Sequence, residues 1–192
     1  GYRSLANNSV AYTEKPDAMS FLREWTSLAE SGSGERGIFN RQAATKQAAK
    51  NGRRDPNYEW GCNPCSEILL RGPKIDKNGQ PVTGTGGQFC NLSEVIIRAT
   101  DTKKDLLRKV RLATILGTIQ STYTKFPYLR KIWSKNTAEE RLLGVSLTGI
   151  MDNELTNGKK GDLPALLEEL KQCAIDTNKE WADRLGIEVS TA

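Results

Sequence analysis

The chain has 192 residues, a formal net charge of +5 and no histidine, so Ser/His and Cys/His catalysis and every histidine-containing metal site are excluded. No apolar run approaches the ~20 residues a membrane helix needs and the start is not signal-like, so no membrane partner is expected. The four cysteines are unevenly spread and two share one Cys-x-x-Cys, which argues against a secreted disulfide scaffold and for a reducing, cytoplasmic setting. The length suits one domain with its own core, and the basic excess suits an anionic ligand such as a nucleotide.

Residues 2–13 alternate loosely and read as a strand carrying Leu5, Val10 and Tyr12. Pro16-Asp17 opens a helix with Asp17 as N-cap, and Met19, Phe21, Leu22, Trp25 and Leu28 fall at helical spacing. Ser31-Gly32-Ser33-Gly34 stops it, Gly37-Ile38-Phe39-Asn40 reads as a strand end, and an alanine-rich helix follows as far as Asn51-Gly52. Asn78-Gly79 is a hairpin-turn signal, and Thr83-Gly84-Thr85-Gly86-Gly87 reads as a flexible return.

Beyond residue 100 the pattern is mostly helical. Asp101 is expected to cap a helix with Leu106, Leu107, Val110, Ala113 and Leu116 on its inner face. Thr137-Ala138-Glu139-Glu140 reads as a capping box opening a further helix through Leu142, Val145 and Thr148. Asp162-Leu163-Pro164 opens the last helix, striped by Leu163, Leu166, Leu167, Leu170, Ala174 and Trp181. Early strands alternating with helices, then long helices, predict an α/β fold.

Two segments carry chemistry: residues 61–68, Gly-Cys-Asn-Pro-Cys-Ser-Glu-Ile, and residues 88–95, Gln-Phe-Cys-Asn-Leu-Ser-Glu-Val. Pro64 fixes its own φ and pushes Asn63 towards extended backbone, so the first segment is expected to be extended. Period-two alternation would then set Asn63, Cys65 and Glu67 on one side, with Cys62 and Ser66 on the other. The Cys62-x-x-Cys65 spacing also suits half a zinc site or a thioredoxin-like pair. Zinc needs four ligands, with only Cys90 and Cys173 remaining, and a thioredoxin-like pair needs a helix after the motif.

Asn63-Pro64-Cys65-Ser66-Glu67 and the later Cys90-Asn91-Leu92-Ser93-Glu94-Val95 resemble the active-site segment of ribonucleotide reductase large subunits, in wording nearest the adenosylcobalamin-dependent class II group. The stretches 3–10, 34–41 and 141–149 resemble successive segments of that family's barrel in the same order, so the resemblance runs over nearly the whole chain. It implies a partial α/β barrel completed by other segments, the chain being a central piece of a longer protein whose two ends look cut. It implies that Cys65 becomes a thiyl radical that takes a hydrogen atom from the ribose 3′ carbon, that Glu67 is general base on the 3′ hydroxyl, and that Asn63 hydrogen-bonds the substrate. Cys90 would be one of two cysteines that reduce the 2′ position and end as a disulfide, its partner lying upstream of this chain. The implied cofactor is adenosylcobalamin. The implied partners are N-terminal and C-terminal segments of the same reductase, a nucleotide substrate, leaning to triphosphate, and a thioredoxin-like reductant, with no nucleic acid.

Other features have plainer readings. Cys173 sits in the stripe of the last helix and is expected in the core, and Cys62 has no role in the family pattern and is taken as structural. The basic runs 46–54, 103–111 and 125–135 read as solvated faces, although Phe126, Tyr128 and Trp133 among the last could stack bases. The Gly84-x-Gly86-Gly87 run lacks the frame of a phosphate loop. The competing reading is a basic α/β module that binds nucleic acid, or zinc through Cys62, Cys65, Cys90 and Cys173.

Overall fold

A parallel strand pair joined through a helix opens the chain. In the computed structural model, which describes residues 8–34, 36–52 and 54–191, the chain divides into two units, Gly1–Gly87 and Gln88–Ala192. In the first, β1 (Asn8–Tyr12) lies parallel to β2 (Arg36–Asn40), with Val10 opposite Ile38. The helix between them, α1 (Ala18–Glu30), starts where expected, because the Asp17 carboxylate accepts from the Met19 and Ser20 N–H groups at 3.1 and 3.0 Å. Leu5 and the start of the expected strand lie outside the described residues. The apolar stripe of α1 is not interior: Met19, Leu22 and Trp25 are all more than half exposed, and Phe21 stacks on Trp25 with its ring tilted against Tyr12.

The core of this unit is small. Ala44 and Ala48 of α2 (Arg41–Ala49) pack with Tyr58 and Trp60, and Phe39 and Leu69 flank them. Their small side chains let the helix approach the two rings closely. The Arg54 guanidinium lies over Trp60 at 4.2 Å and donates to the Leu69 carbonyl at 2.8 Å. Two short antiparallel pairs follow: β3 (Gly61–Cys62) with β4 (Leu69–Leu70), and β5 (Lys74–Ile75) with β6 (Pro81–Val82). The Asn78-Gly79 turn joins the second pair as expected, with Gly79 at φ 77° and the Asp76 carboxylate accepting from the Asn78 and Gln80 N–H groups. The glycine return is more than a hinge, since a Cβ on Gly86 would lie 2.5 Å from the Gly72 carbonyl carbon. Backbone there touches backbone.

In the second unit β7 (Asn91–Ile96) lies parallel to β8 (Leu143–Thr148). Asn91, Ser93 and Val95 point inward and Leu92, Glu94 and Ile96 outward. Val95 and Ile97 meet Leu106, Val110 and Ala113 of α3 (Lys103–Gln120), with Leu166 and Leu170 of α5 (Leu163–Leu185) completing the core. Leu116, expected on the inner face of α3, is 62% exposed. The α3 cap is Thr102 rather than Asp101: Thr102 and Asp105 form a reciprocal capping box, while the Asp101 carboxylate accepts from the Arg98 N–H and the Lys109 ammonium.

The expected helix start at Thr137 is corrected. Residues 137–140 form the last turn of α4 (Lys131–Glu140), Arg141 ends it in the left-handed region at φ 43°, and Leu142, Val145 and Thr148 lie on or beside β8. A Thr-x-x-Glu spacing has no direction of its own, and the aliphatic run after it pairs with β7 as a parallel strand. The last helix starts as expected, the Asp162 carboxylate accepting from the Ala165 N–H at 3.1 Å. Within it Cys173 packs against the core, its thiol 3.6 Å from the Leu107 carbonyl. The fold is mixed α/β, the sheets among the described residues being two-stranded. No helix among those residues is long and apolar enough to cross a membrane.

Candidate functional site

The segment expected to be extended is a tight loop. Between Cys62 and Leu69, which face each other across the β3–β4 hairpin, residues 63–68 reverse the chain. Pro64 supplies the fixed φ of a turn's second position, and the Ser66 N–H closes the turn on the Asn63 carbonyl at 3.0 Å. Ser66 itself is at φ 63°, one of two non-glycine residues with positive φ among those described. The Asn63 side chain braces the far end, its Oδ1 accepting from the Ile68 N–H at 3.1 Å. Period-two alternation therefore does not operate here, and the expected shared face of Asn63, Cys65 and Glu67 is replaced by a loop crest. Asn-Pro was the available sign, since that dipeptide starts turns as readily as it prolongs strands.

Cys65 is exposed at the crest and Glu67 is exposed two residues on, while Asn63 is half-buried at the loop entrance. With its carbonyl oxygen engaged by the Ile68 N–H, the Asn63 carboxamide keeps its Nδ2 as a donor. The Cys62 sulfur lies 3.4 Å from the Ser66 hydroxyl. Cys62 and Ser66, expected on the reverse side, thus hold each other across the loop. The hairpin is anchored at its base by buried Arg54, through the Leu69 carbonyl, and by Arg41, whose Nε donates to the Trp60 carbonyl at 2.8 Å. The loop thus presents an exposed thiol and an exposed carboxylate on a crest tied to an aromatic base.

Cys90 belongs to the second unit. It immediately precedes β7 and is half-buried, at the strand position whose parity matches the outward residues Leu92 and Glu94. Buried Asn91 fixes the strand start, its N–H and its Nδ2 both donating to the Leu142 carbonyl, at 2.8 and 3.0 Å. Cys90 borders a cavity of about 460 Å³ with Tyr123, Lys125, Phe126 and Tyr128. Phe89 ties the wall together, 4.9 Å from both the Phe126 and the Trp133 rings. The sequence marked Phe126, Tyr128 and Trp133 as able to stack bases but did not connect them to Cys90, because that link depends on the loop after α3 folding back to the start of β7.

Among the described residues no group of three or more Cys, Asp or Glu side chains is placed to hold a metal ion. No protein-family model, no curated protein and no solved structure matches the chain.

Proposed function

We propose that the chain is a segment of the catalytic barrel of an adenosylcobalamin-dependent ribonucleotide reductase, acting on ribonucleotides and preferring triphosphates. The observation that carries this reading is Cys65 exposed at the crest of a loop whose other members include Glu67 and Asn63, the residue types the reaction needs. In this reading Cys65, as a thiyl radical, takes the hydrogen atom from the ribose 3′ carbon and later returns it. Glu67 holds the proton of the 3′ hydroxyl, and the Asn63 amide donates to the sugar. The 2′ hydroxyl leaves as water while Cys90 and a cysteine of another segment give up two electrons and close a disulfide, which a thioredoxin-like protein reopens.

The donor set suits the implied cofactor, because a thiol that must surrender its hydrogen atom to a bulky radical source has to be reached from outside, and Cys65 is exposed. Adenosylcobalamin, when bound, supplies that radical by homolysis of its cobalt–carbon bond. The need for other segments is supported by apolar surface on each unit: Met19, Leu22 and Trp25 on α1, and Leu92 and Ile96 on β7, all exposed. Parallel strands are ordinarily covered on both faces, so these two parallel pairs read as arcs of a barrel that further chain completes.

The test is reconstitution with N-terminal and C-terminal reductase segments, cofactor, a ribonucleoside triphosphate and a dithiol reductant. Cys65→Ser is expected to abolish deoxynucleotide formation while leaving co-elution of the segments intact. Turnover retained by Cys65→Ser sinks the proposal.

A further inference from the structure

The Cys-x-x-Cys that the proposed reaction leaves unexplained has a chemistry of its own. Cys62 is the last residue of β3 and Cys65 the third residue of the Asn63–Ser66 turn, so the two thiols flank the point where the chain reverses. Both are reduced, Cys65 exposed and Cys62 half-buried. The Cys62 sulfur does not point into the Trp60 and Tyr58 core. It is turned towards the crest, 3.4 Å from the hydroxyl of Ser66, the residue bonded to Cys65. A disulfide joins Cα atoms ~4.4–6.8 Å apart; extended backbone would set Cys62 and Cys65 roughly 10 Å apart, and the Asn63–Ser66 turn shortens that span.

We infer that Cys62 and Cys65 form a redox-active pair, oxidised to an intramolecular disulfide by low-molecular-weight disulfides of the glutathione class. The thiolate of exposed Cys65 attacks one sulfur of the oxidant, and a glutathione thiolate leaves. The Cys62 thiolate then attacks the Cys65 sulfur of the mixed disulfide, and the second glutathione thiolate leaves. Two protein thiols are oxidised, one disulfide is reduced, and two protons pass to solvent. Attack falls first on Cys65 because it is the accessible sulfur, and Cys62 resolves because its sulfur already faces the crest. The product closes a very short loop on an exposed turn, which places it among the easily reduced disulfides. On the reading of Cys65 as the radical-bearing thiol, the same bond would take the enzyme reversibly out of action.

The experiment uses the full chain alone, with no nucleotide or cofactor, so its outcome is independent of the reductase assay. The protein is treated with oxidised glutathione, remaining thiols are alkylated, and residues 55–71, which carry both cysteines, are released by trypsin for mass spectrometry. The expected product is that peptide lighter by two hydrogens, without alkyl groups and restored by dithiothreitol. In Cys62→Ser the same treatment should instead leave a stable glutathione adduct on Cys65. If the wild-type chain accumulates that adduct with Cys62 still alkylatable, or if neither thiol reacts, the pair does not exist.

Discussion

The Asn63 side chain offers the sharpest test of how the loop is held. Its Oδ1 is the acceptor for the Ile68 N–H at 3.1 Å, and the backbone bond from the Asn63 N–H to the Ile68 carbonyl is long at 3.4 Å, so the carboxamide is the better closure at that end. A hydrogen bond of this kind contributes about 1 kcal/mol net, and 1.4 kcal/mol is a factor of ten. Asn63→Ala should therefore speed hydrogen exchange at the Ile68 amide about fivefold, with Arg71 and Trp60 amides unchanged. Asn63→Asp keeps an acceptor in the same place and is ionised above about pH 4, so exchange should stay at or below the wild-type rate. Amide exchange followed by NMR or mass spectrometry reads both. Wild-type exchange at Ile68 in Asn63→Ala would refute the brace. In the reconstitution that tests the proposed function the two variants divide the roles: Asp preserves the loop but removes the Nδ2 donor, so activity lost in Asp with the loop intact marks Asn63 as a substrate-binding group.

Gly72→Ala should destabilise the first unit by about 1–3 kcal/mol, because a Cβ there collides with the Glu59 carbonyl oxygen, which belongs to backbone and cannot swing away; an unchanged urea midpoint would contradict this. Asn153 is 2% exposed and its Nδ2 donates to the Arg98 and Asp101 carbonyls, each at 2.9 Å, while its Oδ1 accepts from the Leu155 N–H. Asn153→Ala should cost the second unit about 3 kcal/mol in chemical denaturation, and a loss under ~1 kcal/mol would show that water replaces those bonds. The Lys109 ammonium, with the Arg98 N–H, holds the Asp101 carboxyl below its ordinary value of 3.8. A folded value under the unfolded one means this stability is present above about pH 4 and lost as pH falls through the depressed value. Asp101→Asn should therefore flatten the loss of stability between pH 5 and pH 3, and parallel acid limbs in variant and wild type would count against the linkage.

What could be read in advance was local and chemically forced. Asp17 and Asp162 cap helices because an unpaired carboxylate next to unpaired N–H groups has one good solution, and Gly79 turns because it alone tolerates φ 77° at no cost. Readings that needed to know what lies opposite a residue fared differently. The stripe on α1 has correct helical spacing, yet Met19 and Trp25 find no core within the unit, since spacing reports an apolar face and not what covers it. Thr137–Glu140 closes α4 instead of opening a helix because the following aliphatic run pairs with β7, a contact about fifty residues away in sequence. At the candidate site the residue types were legible and their shape was not. Pro64 is compatible with strand and turn alike, and the choice falls to Ser66 accepting a left-handed backbone and to Asn63 bonding Ile68.

That choice of shape bears on both assignments made for the loop. An extended Asn63–Glu67 segment inside a sheet would hold its sulfur rigidly but seal one face of it, and Cys62 would project to the opposite side. The turn instead lifts Cys65 into the open and brings the Cys62 sulfur round towards the crest. A thiol that must trade a hydrogen atom with a separate radical source needs that openness, and openness is also what exposes it to disulfide exchange. A neighbouring thiol converts such damage from a stable adduct into a short, readily reduced bridge. On the proposed reductase function the two roles make opposite demands on Cys62 under substitution: Cys62→Ser should leave ribonucleotide reduction by the reconstituted segments intact in a reducing buffer, yet slow recovery of activity after glutathione oxidation, and loss of reduction in reducing buffer would instead show that Cys62 shapes the loop itself.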